Sequence, residues 1–217
     1  MRLYRRNVKM IMGNVTLPVM IRTRVDREEN AIFYIPEIVG HWNPYVEREI
    51  NWHMYDTIRK LVKQQHEEQD VKKFLEMIGT YEVKTNERNV LSVTFENYAY
   101  AEGFAHGLTL MDALTFDVMT GKQYNLGDLF KPHANYVEVL TKHVNEQIKE
   151  RDIPTFEETV SVSKNQPFYI ADTSLVLFYP LYAITPYYYG IPRFPISVFD
   201  IQDIVAEKSP LGRMLAT

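Results

Sequence analysis

Leu91-Ser92-Val93-Thr94-Phe95-Glu96 places an apolar residue at every second position, the period of a strand with one covered face. Thr80 to Thr85 precedes it across the polar turn Asn86-Glu87-Arg88-Asn89, so the two stretches read as a hairpin. Toward the start of the chain, Asn43-Pro44 supplies an N-cap and a first-turn proline. Val46, Ile50, Met54, Ile58, Leu61 and Val62 follow at spacings of three and four. This predicts a long helix with Ile50, Met54 and Ile58 turned inward, stopping in the polar run 64–70. Arg59, Lys60 and Lys63 are expected near its end, where cations complement exposed carbonyls. Val15 to Arg24 and Ala31 to Val39, rich in β-branched and apolar residues, predict two strands around the polar break 26–30.

Beyond the hairpin, Leu114, Phe116 and Val118 alternate before Thr120-Gly121-Lys122, whose glycine can take the positive φ that opens another hairpin. Asn135 with Glu138 three residues on is a capping-box pattern. Tyr136, Val139, Leu140, His143, Val144 and Ile148 then form one helical stripe, with Val139, Val144 and Ile148 facing inward. Phe168 to Ile170 and Leu175 to Tyr179 flank a four-residue turn, and Phe194 to Phe199 reads as a last strand before a short helix. Strands cluster around each helix without regular alternation. The predicted fold is therefore α+β, two small lobes that are each a mostly antiparallel sheet packed with one main helix, rather than a doubly wound parallel sheet. The division is expected in the connection from Ala101 to Met111, giving a strand-helix-hairpin lobe over 1–104 and a hairpin-helix-hairpin lobe over 105–217.

The 217 residues, 46% hydrophobic and 24% charged, suffice for a buried core in one large or two small domains. Lys plus Arg number 24 against 28 acids, a net charge of -4, so no global field draws in phosphate backbones and nucleic acid is not an expected partner. The absence of cysteine excludes disulfide scaffolds, thiolate zinc sites and cysteine nucleophiles. The apolar run from Leu175 to Ile184 is broken by Pro180 and falls short of the roughly 20 residues that span a bilayer, so no integral membrane segment is predicted. The basic front Met1 to Arg6 is followed by Asn7, Lys9 and Asn14, where a leader needs about 7–15 continuous apolar residues. A cytoplasmic address follows, or an extracytoplasmic one if the chain is a mature or trimmed form.

His106 lies between Gly103 and Gly107, where the backbone can approach a neighbour closely while the imidazole hydrogen-bonds beside it. The expected role is to hold the fold through backbone carbonyls. A catalytic role would need a nucleophile or an oriented carboxylate, and Glu96 and Glu102 are its neighbours in sequence. Tyr179, Tyr182, Tyr187, Tyr188 and Tyr189 crowd into eleven positions, and consecutive side chains on an extended backbone face opposite ways, so at least one is expected outside the core. The six histidines lack the spacing of a metal site, with His143 on an apolar stripe and His41 packed beside Trp42 at the helix entry. Neither zinc, iron nor an organic cofactor is expected.

The order of short motifs in the second half is recognisable. Glu102-Gly103-Phe104-Ala105-His106 leads to Thr115-Phe116-Asp117, Thr120-Gly121-Lys122 and Leu126-Gly127-Asp128-Leu129-Phe130. Phe168-Tyr169-Ile170, Tyr182-Ala183-Ile184-Thr185-Pro186 and Gly190-Ile191-Pro192 complete it. This resembles a bacterial family of domains of unknown function found in the extracytoplasmic part of the lysozyme-sensing anti-sigma-V factor. The stretch from Ala31 to Val62 resembles the partner domain that precedes it, which also occurs in a peptidoglycan deacetylase. The resemblances span roughly residues 15 to 205 and carry over neither sigma regulation nor deacetylation, whose tail and catalytic module have no counterpart here.

What the resemblance implies is a non-enzymatic ligand- or protein-binding, sensory module of the bacterial cell envelope, its partner a protein such as a lysozyme or a cell-wall glycan. Tyr182, Tyr187, Tyr188, Tyr189 and His106 are the expected binding residues, since tyrosines bury large area at low entropy cost and keep a polar tip. No catalytic residue is assigned. The rivals are a small hydrolase acting on cell-wall glycan through carboxylates and His106, and a structural protein that assembles through its sheet edges. A cleft holding His106 and two acids would mark the hydrolase, whereas an exposed tyrosine-lined surface would mark the binding module. Oligomeric state is left open.

Overall fold

The computed structural model describes residues 17–215, so the basic front Met1 to Arg6 and the first two residues of the predicted strand over 15–24 lie outside the described residues. The first lobe runs β1 (Met20–Glu28), β2 (Ala31–Val39), α1 (Pro44–Gln69), β3 (Glu76–Glu87), β4 (Val90–Tyr100) and β5 (Leu108–Asp117). These strands form one sheet in sequence order. It is antiparallel except where α1 carries the chain over the sheet and returns β3 parallel to β2, through Ala31–Phe33 against Met77–Gly79. The second lobe holds α2 (Tyr136–Glu150) and an antiparallel sheet of β6 (Phe168–Ala171), β7 (Ser174–Phe178) and β8 (Arg193–Ser197), followed by α3 (Pro210–Leu215).

The α+β class and the pairing of one helix with each sheet are as predicted. The expected division at residue 104 precedes β5, and β5 pairs with β4 from Leu108 to Asp117 as the outer strand of the first sheet. The hairpin opened by Thr120-Gly121-Lys122 has no second strand, because its return arm makes a single bridge, Phe116 to Gln123.

Asn43 caps α1 as its sequence implies, its side-chain oxygen accepting the Tyr45 N–H at 3.0 Å. Ile50 and Met54 are buried against Leu91, Val93, Phe95 and Phe116, while Ile58 is half-buried at the edge of that core. The helix runs on to Gln69 and ends on Asp70 in the left-handed region, φ +48°. Arg59, Lys60 and Lys63 therefore stand short of the last turn, where the basic residue is His66. Lys60 pairs with Asp56 and Lys63 with Glu67 one turn away, so side-chain partners rather than terminal carbonyls hold them. At α2, the Asn135 amide is spent on the Glu138 carboxylate instead of a backbone N–H, and the capping box does not form. Leu140, Val144 and Ile148 seal the second core against Ile170, Leu175, Leu177, Phe194 and Ile196.

The alternation in β4 predicts one wet face, yet Ser92 and Thr94 are as buried as their apolar neighbours. The even face of β4 and the odd face of β5 are covered by the second sheet, with Met111 and Ala113 packing on Tyr169, Val176 and Phe178. The layers thus run α1, five-stranded sheet, three-stranded sheet, α2. Among the described residues no helix is long and apolar enough to cross a membrane.

Candidate functional site

Two connections meet where the lobes join: the one from β4 to β5, residues 101–107, and the one from β7 to β8, residues 179–192. Gly107 fits there because a Cβ at that position would lie 2.3 Å from the Tyr98 ring, so the backbone approaches β4 closer than any other residue permits. His106 is exposed, and its ring stacks on that of Tyr187 with centroids 3.7 Å apart. Its Nδ1 lies 3.0 Å from the Gly107 carbonyl oxygen and its Nε2 lies 3.3 Å from the Tyr182 hydroxyl. The Gly107 carbonyl can only accept, so Nδ1 carries a proton and donates to it, while Nε2 and the phenol share the second hydrogen bond. The Tyr187 hydroxyl donates to the same Gly107 carbonyl at 3.0 Å, so one backbone oxygen anchors both stacked rings.

Tyr182 reaches His106 from a strained position. It occupies the third place of a turn closed by the Ala183 N–H to the Pro180 carbonyl, and its φ is +65°, where a side chain with a Cβ is rarely found. Such strain costs about 1–3 kcal/mol and persists only where surrounding contacts over-determine it.

Tyr187–Tyr189 form one turn of 3-10 helix rather than the extended run assumed from sequence. With about three residues per turn, consecutive side chains leave in three directions. Tyr187 goes to His106, Tyr188 projects into solvent at 77% exposure, and the Tyr189 hydroxyl accepts from Arg151 at 3.3 Å. The expectation that at least one tyrosine stands outside the core holds through Tyr188. Tyr179 belongs to the interior: it is buried, its hydroxyl donates to the Ser161 carbonyl at 3.1 Å, and burial pushes its pKa upward. The structure thus brings together His106, Tyr182 and Tyr187, leaves Tyr188 exposed to solvent at the next position in the chain, and turns Tyr189 to α2.

Glu96, the nearest carboxylate on β4 in sequence, is 2.6 Å from the Arg193 guanidinium of β8. Arg193 was missed from sequence, because nothing in a linear chain marks a pair 97 positions apart. Also missed was a small polar hollow of about 220 Å³ between α1, β5 and the segment before β6, lined by His53, Lys60, Asp112 and Gln166. Burial pushes the Asp112 carboxyl above the ordinary range, against the lowering pull of the Ala113 N–H and of Lys60. Among the described residues no group of three or more metal-ligating side chains forms.

A lobed α+β protein with a hydroxyl-rich aromatic surface at its junction is the class that this arrangement defines. Residues 28–109 match a family described as Deacetylase PdaC, and residues 127–198 match one described as Protein of unknown function (DUF3298). The two matched stretches follow one another along the chain without overlap. A crystal structure of a member of the DUF3298 family from Bacteroides fragilis NCTC 9343 is 14% identical. It superposes with a TM-score of 0.65 over 94% of this chain and 99% of that one. A DUF3298 family protein from Pseudomonas aeruginosa PAO1 is 15% identical, with a TM-score of 0.62 over 94% and 98% of the two chains. At these identities the likeness establishes the fold. No curated protein matches the chain.

Proposed function

We propose that this protein is a non-enzymatic, sensory binding module of the bacterial cell envelope, and that its partner is a protein docking over the surface formed by His106, Tyr182, Tyr187 and Tyr188. The observation that carries this reading is the disposition of Tyr188 and Tyr182, exposed by 77% and 48% beside a stack anchored to one backbone carbonyl. Rigid aromatic rings with polar tips, held in place before a partner arrives, are what binding hot spots are made of. Phe104, two residues before His106 and 41% exposed, extends the apolar part of the surface. The surface takes residues from both lobes, so a partner pressed against it bears on their junction. The Glu96 carboxylate is taken up by Arg193 and the His106 ring by its stack on Tyr187, which ties down two of the groups that acid/base hydrolysis of a glycan would use.

The resemblance to an anti-sigma-V sensor supports a lysozyme as the probe. Calorimetric titration of the whole chain with that lysozyme is expected to saturate at one partner per chain. Tyr188→Ala should weaken it about tenfold or more, without moving the unfolding midpoint. Wild-type affinity in Tyr188→Ala and Tyr182→Ala, or no binding of lysozyme at all, overturns this assignment, and release of reducing ends from purified peptidoglycan overturns the non-enzymatic reading.

A further inference from the structure

In both walls of the core beneath α1, one position breaks the apolar pattern. On β5 the residues on the α1 side are Leu108, Leu110, Asp112, Leu114 and Phe116, a row that is apolar except at its centre. On α1 the buried residues from Val46 to Leu61 are Val46, Ile50, Met54, Thr57 and Leu61, and Thr57 is their polar member. The two exceptions meet. Both line the hollow of about 220 Å³ between α1, β5 and the segment before β6. An apolar side chain at either place would extend the core, whereas a carboxylate drawn out of water costs stability until a partner compensates it.

The protein's own groups leave both without a full set of partners. Asp112 Oδ1 accepts the Ala113 N–H at 2.7 Å, but among the described residues no Lys, Arg or His nitrogen lies within 4.0 Å of the carboxylate. Thr57 is 5% exposed, and its hydroxyl makes no hydrogen bond to another described group. Lys60, the lysine of the lining, is held by Asp56 at 2.9 Å, and His53 lies 3.3 Å from Glu49. With Lys60 and Asp56 cancelling each other and His53 partnered by Glu49, Asp112 is the charge left over.

Three features restrict what fits. At about 220 Å³ the hollow is smaller than the roughly 300–1,000 Å³ of drug-sized pockets, which leaves room for about a dozen non-hydrogen atoms. The leftover carboxylate calls for a cation. Hard divalent ions take about six or more oxygen ligands, and no group of three or more metal-ligating side chains forms among the described residues, so an organic cation answers the site better. The rest of the polar lining includes the Thr57 hydroxyl and the side-chain amides of Gln123 and Asn165, which both donate and accept, as the hydroxyls of a ligand also do.

We infer that this hollow binds one small hydroxylated primary amine, its ammonium group paired with Asp112 and its hydroxyls bonded to Thr57, Gln123 and Asn165. The occupant is gripped by α1 and β5 of the first lobe and by residues 165–168 of the second, so binding draws the lobes together. His106 and the tyrosines assigned to a protein partner do not line the hollow, and the two sites are separate.

Glucosamine is the probe, titrated just below neutral pH so that its amine is charged, with glucose, methylammonium and calcium ions in parallel. Amide NMR of the whole chain is expected to show saturable shifts at Thr57, Ala113 and Asn165 with a Kd of about 1 mM or tighter, and saturation should raise the unfolding midpoint. Asp112→Asn, which keeps the shape and removes the charge, should weaken binding about tenfold or more. Thr57→Val, which removes the hydroxyl alone, should weaken it about fivefold. Unliganded, neither variant should unfold below wild type, so lost affinity is not lost folding. Tyr188→Ala should bind glucosamine as wild type does. No saturation, shifts confined to other parts of the chain, or wild-type affinity in Asp112→Asn overturns the inference. Glucose or methylammonium binding as tightly as glucosamine removes the need for the amine or for the hydroxyls, and displacement of glucosamine by an equal concentration of calcium makes the hollow an inorganic cation site; each of these results overturns it as well.

Discussion

Ser92 and Ile170 stand 78 positions apart, and at a fully buried point between the lobes the Ser92 hydroxyl accepts the Ile170 N–H at 3.0 Å. The Ile170 carbonyl accepts from the Thr85 hydroxyl at 2.8 Å. β6 pairs with β7 along one edge only, and these two hydroxyls from the first sheet satisfy backbone groups that would otherwise be buried without partners. Ser92→Ala should accordingly cost about 1–3 kcal/mol, the usual penalty for orphaning a buried amide. An unchanged midpoint in urea denaturation would show that this hydrogen bond contributes nothing to holding the lobes together.

Asp117, at the end of β5, couples acid stability to α3. Burial penalises its charge, but the Arg213 guanidinium and the N–H groups of Thr120 and Met119 outweigh that and hold its carboxyl below the usual range. A carboxylate depressed in the folded state stabilises above its unfolded pKa of about 3.9 and loses that contribution as pH falls through the folded value. Asp117→Asn should lower the melting temperature at pH 7 and flatten its fall below about pH 4. If mutant and wild-type curves run parallel throughout, the pair contributes nothing to acid sensitivity.

Asp112 predicts the opposite sign. Its carboxyl is raised by burial, so its contribution to stability is present below the unfolded value and lost as pH rises through the folded one. Asp112→Asn, which keeps the shape and removes the charge, is expected to raise the melting temperature at pH 7 and to match wild type near pH 3. A neutral or destabilising effect at pH 7 would mean that Lys60 compensates the charge in full.

Gly107→Ala probes the close approach at the lobe junction. The added methyl would overlap the Tyr98 ring, and relieving that overlap displaces either the ring or the carbonyl that anchors His106 and Tyr187. Overpacking of this kind typically costs about 1–3 kcal/mol. A variant that melts with wild type would show that Tyr98 swings aside freely.

Local pattern carried α1, its Asn43 cap and the β3–β4 hairpin, because each is decided by residues within one or two turns of one another. It failed where the deciding partner is remote. The serine and threonine of β4 read as a solvent face, but a sheet some 75 residues further along covers them, and small hydroxyls are the side chains that can line such an interface while bonding its backbone. At the candidate site, residue types were legible and geometry was not. His106 and Tyr182 lie 76 positions apart, and their pairing depends on a backbone turn that tyrosine rarely adopts.

The grip of α3 on the first lobe sets an order of events while the chain is being made. Arg88, at the β3–β4 turn, donates to the carbonyls of Arg213 and Met214, and Arg213 holds Asp117 from 96 positions downstream. At about 5–20 residues per second, a ribosome needs roughly 5–20 s to travel from Asp117 to Arg213. Throughout that interval the five-stranded sheet can assemble, but its buried carboxylate faces no cation, and the hydroxyls of Thr85 and Ser92 face no strand until β6 has been made, about half-way along. The first lobe emerges as an unfinished half whose polar face is open to water, and closure waits for the arrival of residue 213.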